Sequence, residues 1–169
     1  MIDTLTPLLV RFAARAQDKA APLTAIGEVM VSSTQRTFEL QGRPARWKSL
    51  SGATLLARAG GKSRAFTKRA RKSGNLRSGG LTKKARKTMV NAKILIDRGN
   101  LLRSVSSRVS GGSVEWGTNS IYAAIHNFGG MAGRDKETII PARQFVHEPF
   151  ADDWQTIEGI LTDWLGLEA

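Results

Sequence analysis

The side chains that most often carry catalysis are few and scattered in this 169-residue chain. It contains no cysteine, which excludes thiol nucleophiles, disulfides, zinc–thiolate sites and iron–sulfur clusters. Imidazole chemistry is limited to His126 and His147. Away from both ends of the chain the acids are Asp97, Glu115, Asp135 and Glu137. None of these acids stands at a metal-ligand spacing from a histidine, so we expect no catalytic residues, no metal site and no cofactor.

Two motifs resemble functional sites but fit a structural interpretation better. His126 lies in Tyr122-Ala-Ala-Ile-His126-Asn-Phe128, and we interpret it as a packed or interface residue rather than as a base. Gly60-Gly61-Lys62-Ser63 lacks the first glycine of a phosphate-binding loop, and no strand precedes it. A nuclease or a peptidoglycan hydrolase is therefore the weakest of the functional hypotheses, because scattered acids and histidines are all that support it.

The charges are sorted along the chain, and this sorting is the strongest compositional feature. The formal net charge is +12. Sixteen lysines or arginines and no acid lie between Leu40 and Ile96, whereas six acids and no base follow Arg143. No stretch approaches the length of apolar sequence that a membrane-spanning helix needs, so we expect no membrane partner.

The most basic part of the chain, at about residues 57–86, is predicted to be a long basic loop or arm. Its stretch from Gly60 to Gly80 holds only two large apolar residues, Phe66 and Leu76, and like charges favour an extended chain. Three interpretations stay open: contact with DNA phosphates, docking on an acidic protein surface, or a solvated loop that only aids solubility. The candidate contact residues are Lys62, Arg64, Lys68, Arg69, Arg71, Lys72, Arg77, Lys83 and Lys84.

Hydrophobic periodicity predicts the elements that would position these residues. Apolar residues at helical spacing predict a first helix up to about Ala20 and a second from Pro22 to about Phe38, together a helical hairpin. Alternating residues on either side of Gly111-Gly112 predict a β-hairpin, and residues 139–146 predict an edge strand. An apolar stripe predicts a final helix from Asp152 onward, whose first acids suit the helix dipole.

This order predicts an α+β fold in which a helical hairpin and a C-terminal helix pack on a small antiparallel sheet. We expect a single domain over residues 1–169, since the first 39 residues offer too little apolar surface for a core of their own. The alternative is two domains divided near Asp97. Four residues are candidates for a subunit interface: His126, Phe128, Trp154 and Trp164.

An ordered series of motifs in the second half of the chain resembles the phage virion morphogenesis family, whose members are tail completion proteins of Mu-like and P2-like phages. The motifs are Ile94-Leu-Ile-Asp97-Arg-Gly99-Asn-Leu101-Leu-Arg-Ser104-Val105, Val114-Glu-Trp-Gly117-Thr118-Asn119, Tyr122-Ala-Ala-Ile-His126-Asn-Phe128-Gly129-Gly130 and Ile140-Pro141-Ala142-Arg143-Gln-Phe145. Weaker similarity at Leu5-Thr-Pro-Leu-Leu and Trp47-Lys-Ser-Leu50 extends the resemblance over most of the chain, except the basic arm.

The resemblance implies a non-enzymatic virion protein that completes the tail or joins it to the head at the neck. It also implies a homo-oligomeric ring that contacts a connector, a tail terminator or a tail tube, assembled in the host cytoplasm. An alternative is a sequence-independent DNA-binding protein that uses the basic arm on packaged DNA. The two hypotheses are compatible, because a neck protein can also touch DNA.

Overall fold

The computed structural model describes residues 5–74, 76, 78–133 and 137–166. Most of these residues are helical, and four short strands form two antiparallel pairs. The helices are α1 Leu5–Gln17, α2 Ala20–Glu39, α3 Gly52–Arg58, α4 Gly61–Ala65, α5 Lys68–Lys72, α6 Lys83–Val90, α7 Asn100–Arg103, α8 Ala123–Phe128 and α9 Ala151–Leu165, with a 3₁₀ turn at Ser78–Gly80. The strands are β1 Ser106–Ser110, β2 Ser113–Gly117, β3 Gly130–Ala132 and β4 Thr138–Ile140. The fold class is α+β, as the order of elements predicts.

The main core forms around the C-terminal end of α2. Phe38, at the end of α2, is fully buried and packs on two other rings. Its ring centroid lies 5.1 Å from that of Phe145, and 5.6 Å from that of Trp47 in an edge-to-face arrangement. Leu101 of α7, Val105 just before β1 and Ala123 at the start of α8 also belong to this core. The long helix α2 is therefore the scaffold that the other elements share.

The β1–β2 hairpin has the register and turn that its sequence predicts. Ser110 pairs with Ser113 across Gly111 and Gly112, whose φ angles are 59° and 81°. Two successive residues of positive φ are what a two-residue hairpin turn requires, and glycine adopts them without strain. Helix α2 packs closely on this hairpin at Gly27, which is buried there.

The C-terminal helix α9 packs along α2 and also contacts α1. Its inward side carries Ile157, which is buried, and Trp164, which is half-buried. Trp154 and Leu161 remain exposed on the same helix. The two expected N-terminal helices are both present. Helix α1, however, packs mainly on α9 and not along α2.

The basic segment is helical and not the extended loop that we expected. Helices α3, α4 and α6 contact one another around a second small core of Ala65, Phe66, Ala70 and Ala85. The Thr67 and Thr82 hydroxyls accept hydrogen bonds from the third residue of α5 and α6 at 3.2 and 3.1 Å. These N-caps and the small alanine side chains explain the difference, because alanine lets short helices approach with few large apolar residues.

Candidate functional site

The cations of α4, α5 and α6 form an exposed basic surface. They are positioned by the N-caps and by the Phe66 cluster beneath them. None of the described lysines and arginines of these three helices lies in an ion pair. The basic surface consists of Lys62, Arg64, Lys68, Arg69, Arg71, Lys72, Lys83, Lys84, Arg86 and Lys87, all exposed. Arg77, which the sequence also suggested, lies outside the described residues.

A second candidate surface is apolar and lies around α8 and the β3–β4 pair. Met131 and Ile139 are direct partners across the two strands, so their side chains share one face of the pair. Their exposed fractions are 66% and 75%, and those of Phe128 and Ile121 are 76% and 98%. A group of large exposed apolar residues is typical of a surface that another protein covers. We call these four residues the apolar surface.

The four residues expected at a subunit interface have different environments. Phe128 belongs to the apolar surface, while His126 on the same helix is half-buried. Trp154 on α9 is 51% exposed, and Trp164 is half-buried on the inward side of that helix. Sequence reasoning missed Met131 and Ile139, because periodicity identifies a strand without showing whether its outer face is covered.

A cleft of about 850 Å³ lies between the 48–51 segment, the end of α3, α8 and β4. Its charged lining is strongly one-sided. Lys48, Arg58, Arg98 and Arg143 contribute positive charge, whereas Asp97 is the one acid among the described lining residues. Asp97 lies 3.6 Å from Arg58, as measured between Oδ1 and Nε. The remaining lining is largely apolar, as in most ligand-binding clefts.

Arg143 is buried in this cleft, and no described acid forms an ion pair with it. It is 7% exposed, and its Nη2 donates a hydrogen bond to the Lys48 carbonyl at 3.2 Å. Its Nε atom is buried with no hydrogen-bond partner among the described residues. Burial, and then the charge of nearby Arg58, lower the pKa of Arg143. A buried guanidinium that keeps an unpaired donor is an uncommon and costly arrangement.

His126 shares the cleft with Arg143. The Arg143 backbone N–H donates to the His126 carbonyl at 2.8 Å, so the two residues are held side by side. The His126 Nδ1 atom is buried and has no partner among the described residues. Burial, and then the Arg143 charge, lower the pKa of His126. Both effects favour the neutral imidazole, and no described carboxylate orients His126 as a base.

His147 has a structural environment. Its Nε2 lies 3.1 Å from the Thr37 hydroxyl, and its Nδ1 lies 2.7 Å from the Glu148 carbonyl oxygen. Within residues 5–74, 76, 78–133 and 137–166, no group of three or more His, Asp or Glu side chains is arranged to hold a metal ion. Among those same residues, no helix combines the length and the apolar character needed to cross a membrane.

Comparison with known proteins decides the family. The model of the phage virion morphogenesis family matches residues 2–80 and 75–166. The chain belongs to this family. It is also 30% identical over 156 residues to the Mu-like prophage FluMu G protein 2 of Haemophilus influenzae, an alignment that covers 92% of this chain and 86% of that protein. No solved structure matches the chain.

Membership of the virion morphogenesis family confirms the resemblance that the sequence motifs indicated. The two matched ranges together include the basic surface, the apolar surface and the cleft. All three features therefore lie in parts of this family member that align with the family model. It is a phage morphogenesis protein.

Proposed function

We propose that this protein is a non-enzymatic structural component of a tailed phage virion that completes the tail, joins it to the head at the neck, or does both. Family membership is the observation that carries the proposal. A protein with this role acts by surface complementarity, and its neighbours would be a connector, a tail terminator or a tail tube. Its place in the virion would be the head–tail junction or the end of the tail.

The apolar surface supports assembly of several copies. Phe128 and Ile139 are each about three-quarters exposed. Their burial against a second protein would stabilise the complex by roughly 1.5–3 kcal/mol per side chain. A ring forms when one such surface meets a different surface of the next subunit and the rotation closes. We propose a homo-oligomeric ring in which the apolar surface, and the exposed Trp154 of α9, contact neighbours.

The acids of α9 are less available to a neighbour than the sequence suggests. Asp152 accepts hydrogen bonds from Arg36 and Arg43, each at 2.8 Å. Partial desolvation acts to raise the pKa of Asp152, but these two guanidinium groups and its hydrogen bonds lower the pKa by more. Asp153 is buried. Of the described acids of α9, only Glu158 and Asp163 therefore remain exposed and outside ion pairs.

This imbalance favours DNA as an additional partner of the basic surface. Ten exposed cations without ion pairs greatly outnumber the two free acids that α9 of a neighbouring copy would offer. DNA that passes the neck presents phosphates at a regular spacing, and contacts with them tolerate any sequence. Sequence-independent DNA contact is thus our second candidate function, compatible with the first.

The test of the first proposal is deletion of the gene from a phage that encodes the protein, followed by electron microscopy of the particles. We expect heads and tails that fail to join or to finish, and wild-type protein supplied in trans should restore infectivity. A Phe128→Asp and Ile139→Asp double variant should not restore it. The matched control is Val90→Asp, because Val90 is equally exposed but lies on α6. Normal infectious particles without the protein would refute the proposal.

A further inference from the structure

We infer that the cleft between α3, α8 and β4 is a binding site for a carboxylate carried by an acidic, partly apolar segment of another polypeptide. The inference does not depend on where in the virion the protein sits. It follows from three properties of the cleft: its unpaired cations, its depth, and its continuity with the apolar surface.

The first property is the unbalanced charge. Arg58 uses Nη1 to donate to the Lys93 carbonyl at 2.6 Å and has Asp97 nearby, so it is partly neutralised. Arg143 forms no ion pair with a described acid, and its buried Nε has no hydrogen-bond partner among the described residues. An incoming carboxylate would supply the missing negative charge. Arginine suits this task because its planar group binds a carboxylate through two parallel hydrogen bonds.

The second property is depth, which selects among anions. Arg143 is 7% exposed, so an anion must enter the cleft to reach it. A phosphate in duplex DNA is fixed to a thick rod, which hinders its entry into a recess of about 850 Å³. A glutamate or aspartate side chain on an extended peptide can enter. DNA contact is therefore assigned to the exposed basic surface and carboxylate contact to the cleft.

The third property is the rim, which indicates a polypeptide rather than a small anion. Ile139 lines the cleft and also belongs to the apolar surface, and Tyr122 at the same rim is 42% exposed. A small dicarboxylate would leave these side chains in water. A peptide with apolar residues beside its acid would cover them while its carboxylate reaches Arg143.

Two blocked tripeptides test the inference on the full-length wild-type protein. Acetyl-Leu-Glu-Leu-amide and acetyl-Leu-Gln-Leu-amide differ only in the carboxylate. The imidazole resonances of His126, followed by NMR, report occupancy because His126 lies beside Arg143 in the cleft. We expect saturable shifts with the glutamate peptide and at least about tenfold weaker binding of the glutamine peptide, as the loss of one charge-assisted contact predicts. Equal binding of the two peptides would overturn the inference.

Variants and competitors sharpen the test. Arg143→Gln should abolish the shifts, whereas Arg108→Gln, an exposed change on β1 outside the cleft, should preserve them. If Arg143→Gln does not fold, the comparison of the two peptides on wild-type protein still decides. Glutarate should bind more weakly than the glutamate peptide, and a DNA duplex should not displace that peptide. Tighter binding of glutarate, or displacement by the duplex, would contradict a polypeptide ligand.

Discussion

The buried carboxylate of Asp153 accepts a hydrogen bond from the Ser33 hydroxyl at 2.7 Å, which ties the first turn of α9 to the middle of α2. The same carboxylate accepts the Phe150 backbone N–H at 2.9 Å and so closes the start of α9. The Asp153 side chain therefore both stabilises the first turn of α9 and holds α9 against α2. The acid that the sequence places at the start of this helix for its dipole has a second, tertiary role.

Replacement of Asp153 by alanine should destabilise the protein. The variant loses a helix-start hydrogen bond and leaves the buried Ser33 hydroxyl short of its acceptor, which together cost about 3 kcal/mol. Urea denaturation measures the loss. The control is Glu158→Ala, because Glu158 is exposed on the same helix, and this change should alter the free energy of unfolding by less than about 0.5 kcal/mol. Equal effects of the two changes would refute the role of Asp153.

Gly27 and Gly159 should respond in opposite ways to replacement by alanine. Alanine in a helix gains about 1 kcal/mol over glycine. At Gly27, however, the new Cβ would lie 2.7 Å from the Ser107 Oγ, and overpacking of this kind costs about 1–3 kcal/mol. A Cβ at Gly159 meets nothing within 4 Å. Thermal unfolding should show a lower melting temperature for Gly27→Ala and a higher one for Gly159→Ala.

The sequence predicts well those elements that local signals define. The β1–β2 hairpin follows from Gly111-Gly112 between alternating residues, and α9 follows from its apolar period and its first-turn acids. The prediction of an edge strand over residues 139–146 is only partly correct, because the strand pairing ends at Ile140, immediately before Pro141. Beyond it, the Asn127 Oδ1 accepts the backbone N–H groups of Phe145 and Val146 at 2.9 and 3.0 Å. A buried side chain replaces the strand partner there, and no local pattern predicts that.

The basic surface and the cleft show two different limits of sequence reasoning. The cations of the basic surface are evident from composition, but their helical support is not, since alanines and threonine caps replace the usual large apolar stripe. The cleft is assembled from residues as far apart in sequence as Lys48 and Arg143. Its charge imbalance exists only in the folded chain, because Arg143 gains its unpaired, buried state from packing.

Phe66 should control the folding of the basic surface. It is 7% exposed in the cluster beneath α4, α5 and α6, and it bridges to Leu81. Phe66→Ala should lower the stability of this cluster by about 3 kcal/mol or more. That loss is enough to unfold the segment locally while the α2 core stays folded. Limited trypsin digestion should then cleave the variant within residues 57–90 faster than wild type. Unchanged cleavage would show that the cluster does not hold the helices.

His126 should make the protein less stable as the pH falls. Its pKa in the folded protein lies below the usual value for histidine, so the unfolded chain takes up a proton at a higher pH than the folded one. Above about pH 6.5 the imidazole is neutral in both states and contributes no slope. Below that pH the free energy of unfolding should decline until the folded form also binds the proton. Urea denaturation between pH 7.5 and 5, at steps of about half a unit, should show a shallower decline for His126→Gln, and identical slopes would contradict the assignment.

The basic surface should bind duplex DNA with a strong salt dependence and no sequence preference. Each phosphate contact contributes about 0.9 to the slope of log K against log salt, so neutralising four contacting cations should reduce the slope by about 3 to 4. The variant is Lys68→Gln, Arg69→Gln, Arg71→Gln and Lys72→Gln together, all on α5. The control removes the same charge from exposed sites elsewhere: Arg11→Gln, Lys19→Gln, Arg46→Gln and Arg108→Gln. Fluorescence anisotropy on two unrelated duplexes at several salt concentrations separates local contact from net charge, because a net-charge effect would weaken both variants equally.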